Sequence, residues 1–463
     1  MFELMAPLMF AGLVVFLLIG YPVAFALGAN GLLFGLIGMQ MGYVEFAQLQ
    51  ALPERVFGIM SNATLLAIPF FTFMGLILER SGLAEELLDA MGQLFGALRG
   101  GLAYAVVFVG ALLAATTGVV AATVIAMGLI SLPIMLRYGY DKRVACGVIA
   151  ASGTLAQIIP PSLVLIILAD QLSISVGDIY RGALTPSLML AGFYLVFVFA
   201  LTLARPGMVP AMPAAARILR GKDLWLKAGA SILPPLLLIF LVLGTIFLGI
   251  ATPTEGGAMG AAGALALALA KRRLSLDLLK QAMDSTSRLT SFVIFILIGS
   301  TVFSLVFRLL EGDLWVEHLL TGLPGGELGF LIAVNLLVFV LAFFLDFFEI
   351  AFIIVPLLAP VAAKLGIDLV WFGVLLGINM QTSFMHPPFG FALFYLRSVA
   401  PKSVRTTDIY WGAIPFVLIQ LVMVALVLAF PGLVGGQIEK VEAGMMEIQL
   451  DSASDSYLRP PGD

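Results

Sequence analysis

Cysteine is almost missing from this chain. Cys146 is the only one in 463 residues, so no intrachain disulfide can form and no thiolate cluster can hold a metal. Histidine is nearly as rare, with His318 and His386 only, which leaves no imidazole cluster for a transition metal. Charged residues make up 11 % of the chain, against 61 % hydrophobic residues and a mean hydropathy of +1.10. A soluble domain of this length cannot have that composition. The net charge of −4 is spread over loops and offers no surface for nucleic acid. No G-x-x-x-x-G-K-[ST] loop binds a nucleotide, and no H-E-x-x-H or G-x-S-x-G points to an enzyme. The first apolar run, 8–19, lacks a basic flank and a small-residue cleavage site, so it is not expected to be a removed signal peptide.

What the chain does contain is a polytopic helical membrane protein written twice. SGTLAQIIPPS at 152–162 lies in the apolar run 146–169, and NMQTSFMHPPF at 379–389 lies in the run 372–396. The proline pairs Pro160-Pro161 and Pro387-Pro388 are 227 positions apart (387 − 160). Proline removes a backbone donor and collides with the carbonyl four residues back, so each run is expected to be a transmembrane helix broken at mid-depth. Broken backbone at that depth survives only inside protein or beside a wet cavity. Other matches keep the same order: DIYRGA at 178–183 with DIYWGA at 408–413, LRGGL at 98–102 with LPGGE at 323–327. Gly139 and Asp141 match Gly366 and Asp368, Pro133 matches Pro360, and FFTFMG ending at Gly75 matches IFILIG ending at Gly299.

Basic residues orient the copies, because Lys and Arg in short loops stay cytoplasmic. The loop after Met135 holds Arg137, Lys142 and Arg143, whereas its counterpart has Lys364 alone. The segment 42–57 has only Arg55, whereas its counterpart holds Lys271, Arg272, Arg273 and Lys280. Corresponding loops therefore face opposite sides. The expected fold is all-α, with two inverted repeats over 1–204 and 228–432 joined by a cytoplasmic connector, 205–227. A flexible external tail is expected over 433–463, with both termini outside. Within the first repeat, helices are expected near 8–20, 23–42 and 57–78, a surface helix over 84–98 and a final crossing over 183–204. Each repeat should hold a re-entrant hairpin, 101–136 and 329–363, besides its broken helix. Paired breaks of this kind mark transporters with a site at the repeat interface.

Candidate chemistry gathers at the hairpin midpoints and the breaks. Thr116, Thr117 and Gly118 should approach Ser152 and Thr154, and Asp346 should approach Asn379, Thr382 and Ser383. Half-helix C-termini suit a bare cation and half-helix N-termini a carboxylate. Hard oxygen donors without Cys or His clusters point to an alkali cation. Intramembrane Asp346 and Glu349 are functional candidates because burying a carboxylate is costly. His386 could touch an anion or sense pH, or be a packed histidine. A single Ser or Thr in such helices commonly bonds back to its own carbonyls and does nothing more.

These residues resemble the large membrane subunit, DctM-like, of the tripartite ATP-independent periplasmic (TRAP) transporters of bacteria and archaea. The resemblance runs from about residue 8 to 432. It is carried by SNATLLAIPFFTFMG at 61–75, IPPSLVLIILADQLSISVGDIYRGALTPSLML at 159–190, FLDFFEIAFIIVPLLAPVAAKLGID at 344–368 and NMQTSFMHPPFGFALFYL at 379–396. It implies an elevator mechanism, sodium-coupled uptake, a small four-helix membrane subunit and a periplasmic binding protein, all at the cytoplasmic (inner) membrane. It places sodium ligands at Thr117, Gly118, Ser152, Gly153, Thr154, Asp346, Asn379, Thr382 and Ser383. Substrate contacts would fall among Thr116, Thr117, Ser152, Gln381, Thr382 and His386. Two positions depart from the family pattern: Thr117-Gly118 stands where Ser-Gly is usual, and His386 where a Thr often precedes the prolines. The form QTSF-x-x-PPFGFALFYLR resembles the branch associated with 2-oxo and hydroxy monocarboxylates. A stand-alone sodium/anion symporter and a channel are the alternatives from other classes.

Overall fold

A computed structural model describes residues 2–219 and 221–435, and every regular element among them is helical. Among the described residues, eight helices are long and apolar enough to cross a bilayer by length and composition. The first half runs Met5–Leu18, Val23–Gln40, Ala67–Arg80, the short helix Leu83–Phe95, then Gly101–Thr117 and Val120–Arg137. Lys142–Thr154 and Leu163–Gln171 form an interrupted helix, followed by Val176–Ala204. The second half repeats the order: Gly221–Phe247, Pro253–Ala270, Leu276–Leu309, Gly312–Thr321, then the hairpin from Gly326 to Lys364. The interrupted Leu369–Met380 and Phe391–Val399, and the closing Thr406–Ala429, complete it. With each hairpin returning to the face it left, the first half crosses an odd number of times, so the second half starts inverted.

The matched sequence pairs turn out to be the turns that build this order. Gly100 and Gly325 precede the hairpins with φ of +75° and +98°, a region open to glycine at no steric cost. Gly139 and Gly366 follow the hairpins with φ of +83° and +74°. Two residues on, Asp141 accepts from the Arg143 amide at 2.9 Å and Asp368 from the Trp371 amide at 2.7 Å, each capping its interrupted helix. Both helices consequently start earlier than the apolar runs at 146 and 372 suggest. Their α-helical parts end at Thr154 and Met380, six and seven residues before the first proline of each pair, and both Pro-Pro bonds are cis.

The halves interlock by exchange. Val23–Gln40 packs along Leu276–Leu309, and Pro253–Ala270 packs along Ala67–Arg80. Small residues permit the approach: a Cβ on Gly299 would sit 2.3 Å from the Ala24 carbonyl oxygen, and one on Gly260 2.5 Å from Met74 Sδ. The interrupted helices are exchanged too, with Lys142–Thr154 against Thr406–Ala429 and Leu369–Met380 against Val176–Ala204.

Some expected bounds shift. The segment 42–57 is not an open loop but carries Phe46–Leu49 and Ala51–Met60, and the next helix starts after Asn62 caps Thr64 at 2.9 Å. The connector is shorter than 205–227, because Gly221–Phe247 takes in Lys222 and Lys227, and Lys227 pairs with Asp89. Residues 431–434 form a short turn whose Val434 is buried, so the tail begins later than 433. Residues 436–463, where the flexible tail was expected, lie outside the described residues.

Candidate functional site

Each interrupted helix is held between the arms of its own hairpin. In the first half, a Cβ on Gly110 would lie 2.6 Å from Ser152 Cβ, and one on Gly153 would lie 2.3 Å from Val124 Cγ2. The arm Gly101–Thr117 ends at Gly118, whose φ is +58° and whose missing Cβ faces the Pro161 carbonyl oxygen at 3.4 Å. Hairpin tip and proline break therefore touch, but at Pro161; Ser152, expected beside Thr116–Gly118, packs against Gly110, eight residues before Gly118 (118 − 110). In the second half, Asn379 donates to Asn335 O at 2.7 Å and to Asn335 Oδ1 at 3.0 Å, tying the interrupted helix to the first hairpin arm. Ser152 and Asn379 are repeat partners (379 − 152 = 227). Both are buried, and Ser152 Oγ and Asn379 Oδ1 have no hydrogen-bond partner.

One hydrogen bond marks the pseudo-twofold axis. Gln381 donates to Thr154 Oγ1 at 3.1 Å, and the two positions are 227 apart, which is the repeat offset itself. Equivalent residues can meet only where the axis passes between them.

Beside this axis lies a cavity of about 300 Å³, enclosed by both hairpin tips, both breaks and the helix Leu276–Leu309. Its walls are paired by the same offset: Val119 with Asp346, Val120 with Phe347, Ala121 with Phe348, Gln157 with Phe384 and Val164 with Phe391. Val120, Leu163, Phe347 and Phe391 are each the first residue of a helix, so four helix N-termini open onto one space. Their positive dipole ends favour an anion, with the Leu163 and Phe347 ends already capped by Ser162 and Asp346. The repeats differ chemically across this symmetric frame. The first contributes valine, alanine and glutamine; the second contributes Asp346 and a cluster of phenylalanines. Phe347 lies 6.2 Å from Phe384, and Phe384 lies 5.9 Å from Phe391, centroid to centroid.

Among the described residues, Asp346 is the only charged side chain lining the cavity. It is also a helix cap: its Oδ1 accepts from the Glu349 amide at 2.9 Å, while Glu349 Oε2 accepts from the Asp346 amide at 2.9 Å. Glu349 thus serves the tip and is not among the lining residues. Downstream, Ile350–Ile354 forms a π turn, and Ser300 Oγ donates to the Phe352 carbonyl at 2.5 Å.

Of the expected site residues, Gly118 and Asp346 border this cavity, whereas Thr116, Ser152, Gly153, Thr154, Asn379, Gln381, Thr382, Ser383 and His386 are not among its lining residues. Thr116, Thr382 and Ser383 donate to their own helix carbonyls at 2.9, 2.7 and 2.7 Å. Thr117 closes the first arm immediately before the tip. His386 is stacked on Phe343 at 4.1 Å and set edge-on to Phe339 at 4.5 Å, the packed arrangement. Sequence reasoning missed Gln157, a buried side chain whose Oε1 and Nε2 both lack a hydrogen-bond partner. Its position inside the repeated motif was the available signal. Among the described residues no group of three or more His, Cys, Asp or Glu could hold a metal ion.

Inverted halves, paired hairpins, paired breaks and a shared central cavity define a multi-pass membrane transporter of the inverted-repeat class. The chain belongs to the family described as the tripartite ATP-independent periplasmic transporter, DctM component, whose model matches residues 10–433. It is 32 % identical to the C4-dicarboxylate TRAP transporter large permease protein DctM of Pseudomonas aeruginosa over 82 % of this chain and 88 % of that one. It is 26 % identical to the isethionate TRAP transporter permease protein DctMQ of Oleidesulfovibrio alaskensis, over 86 % of this chain and 61 % of that longer protein. Among solved structures, the YdaH transporter of Alcanivorax borkumensis is similar in fold, with a TM-score of 0.59 at 15 % identity, over 91 % of this chain and 97 % of that one.

Proposed function

We propose that this permease takes up small organic acid anions, driven by sodium, through the cavity between its two hairpin tips. The observation that carries this reading is the charge arrangement there. Four helix N-termini favour an anion, yet among the described residues the one charged side chain is a carboxylate, and no Lys, Arg or His borders the space. Two like charges about 6 Å apart repel by about 3 kcal/mol at an effective dielectric constant near 20. An organic acid therefore binds roughly a hundredfold more tightly once a cation neutralises Asp346, which couples the two. Hard oxygen atoms without Cys or His suit sodium, and the unpartnered oxygens of Ser152 and Asn379 are donors in reserve behind each tip. The phenylalanine wall suits an apolar carbon skeleton, favouring 2-oxo or hydroxy monocarboxylates, although relatives are named for C4-dicarboxylates and isethionate. Movement of hairpins and interrupted helices as one body against the remaining helices gives an elevator.

The name of the Oleidesulfovibrio relative joins M to Q, which supports a small membrane partner for this chain; a periplasmic binding protein completes the assembly in an inner membrane, with both termini periplasmic. The test is uptake of labelled organic acids into proteoliposomes holding this chain and its small partner, with and without a sodium gradient and the binding protein. Uptake that needs both supports the reading. Uptake with sodium alone favours a stand-alone symporter, and sodium-independent flux at channel rates refutes coupling.

Gln157→Leu carries a paired expectation. Gln157 faces a cavity roomy enough for water, so the substitution should leave the thermal midpoint of the empty protein within about 1 kcal/mol of wild type. It should also raise the half-saturating acid concentration about tenfold, the loss of one hydrogen bond to a charged ligand. An unchanged midpoint with unchanged affinity removes Gln157 from the binding site.

A further inference from the structure

Arg288 sits on the helix Leu276–Leu309 in an unusual position. It is exposed, and among the described residues no hydrogen bond or ion pair involves it. The helix has 34 residues, about 51 Å at 1.5 Å per residue, against a bilayer core of about 30 Å. Its excess length lies at the polar start, QAMDSTSRLTS over 281–291, next to the basic loop of Lys271, Arg272 and Arg273. Ser287, Arg288 and Ser291 line a groove of about 550 Å³ against the start of Val23–Gln40. Phe292, one turn beyond Arg288, lines both this groove and the central cavity. On the cavity side it meets Phe348 of the second hairpin tip edge-on at 5.6 Å. A cation without a partner and two hydroxyls thus stand on one side of an aromatic pair, and the transport cavity stands on the other. Position 64, which lies over Arg288 at the 224-residue offset that superposes Gly75 on Gly299, is a threonine. The arginine therefore belongs to one face of the protein only.

We propose that Arg288, with Ser287 and Ser291, forms a second anion subsite, a vestibule that receives the carboxylate of the transported acid on the face of the 271–273 loop, with Phe292 and Phe348 as the partition between the two sites. This rests on the reading of the central cavity as an organic-anion site. The guanidinium offers two parallel donors to a carboxylate, and the hydroxyls complete the set. A lipid phosphate has the same acceptor chemistry, so the test separates the two.

Cys146 is buried and is the only cysteine, so Ser291→Cys in the full chain introduces a single accessible thiol. In nanodiscs of neutral lipid, an anionic sulfonate methanethiosulfonate should modify it about fivefold faster than a cationic trimethylammonium one, relative to their rates on a free thiol. Adding Arg288→Gln should abolish that preference. Succinate or pyruvate should slow modification when Arg288 is present and not when it is replaced. Absence of any charge preference, or slowing by phosphatidylglycerol and not by either acid, overturns the proposal. In parallel transport measurements with the acid supplied on the face of the 271–273 loop, Arg288→Gln should raise the half-saturating concentration about tenfold, with partial recovery in Arg288→Lys. Wild-type protein without cation-driven uptake refutes the transport reading. Active wild-type protein with Arg288→Gln kinetics unchanged refutes the vestibule alone. Should Ser291→Cys fail to fold, Ser287→Cys provides the same thiol test.

Discussion

Asp346→Asn should leave the protein inserted and folded while lowering sodium-driven uptake about 10²-fold. The two roles of this side chain can be separated because asparagine caps a helix as well as aspartate does. Its carbonyl oxygen can still accept from the Glu349 amide, and Glu349 can still accept from the backbone amide of residue 346. What disappears is the one charge in the cavity. A carboxylate and a cation about 4 Å apart interact by about 4 kcal/mol at an effective dielectric constant of 20, and desolvation offsets part of that. About 2–3 kcal/mol of net coupling corresponds to roughly two decades in cation affinity. Sodium activation of uptake, measured alongside the thermal midpoint, reads both roles. Unchanged sodium activation in a folded variant would make Asp346 a cap only. Asp346→Ala, by contrast, should lose both, with about 1 kcal/mol less stability from the missing cap.

The limits of sequence reading show in this same residue. An acidic side chain at mid-membrane is conspicuous, and the repeated proline pairs located both breaks within a few residues. Gly139 and Asp141, with Gly366 and Asp368, were legible as matched positions because positive φ and helix capping restrict residue choice sharply. The cavity wall was less legible. Gln157 and Phe384 occupy equivalent places, yet one is polar and the other aromatic, so comparison of the two halves conceals what they share. Leu289 and Phe292 also line the cavity, but they come from a helix outside both hairpins and both breaks. Contacts of that kind arise from packing between the exchanged halves, which no local pattern encodes. The hydroxyls of Thr382 and Ser383 stood out by composition, and the structure shows both donating to their own helix.

The largest stability effect is expected at a position with no polar atom in its side chain. The interrupted helix Lys142–Thr154 crosses Thr406–Ala429 at two glycines. A Cβ on Gly147 would sit 2.1 Å from the Gly412 carbonyl oxygen, and one on Gly412 would sit 2.2 Å from the Arg143 carbonyl oxygen. The obstacle in each case is backbone, which no rotamer change can remove. Gly147→Ala must therefore push the helices apart, at the crossing that sets where the first break meets the axial Gln381–Thr154 bond. Overpacking of well-packed cores usually costs about 1–3 kcal/mol, and a backbone collision belongs at or above the upper end. The pseudo-equivalent crossing gives an internal scale: a Cβ on Gly182 would meet side-chain methyls of Val434 at 2.8 Å and Val370 at 3.0 Å and the Val434 carbonyl oxygen at 3.1 Å, a milder crowding whose nearest obstacles are side chains. Gly192, with nothing within 4 Å, is the control, where alanine should be neutral or slightly favourable in a helix. Thermal midpoints and the yield of monodisperse protein should rank Gly192→Ala above Gly182→Ala, with Gly147→Ala and Gly412→Ala lowest. Equal stability of Gly147→Ala and Gly192→Ala would mean that the two halves do not meet at this crossing, and the axis through Thr154 and Gln381 would lose its support.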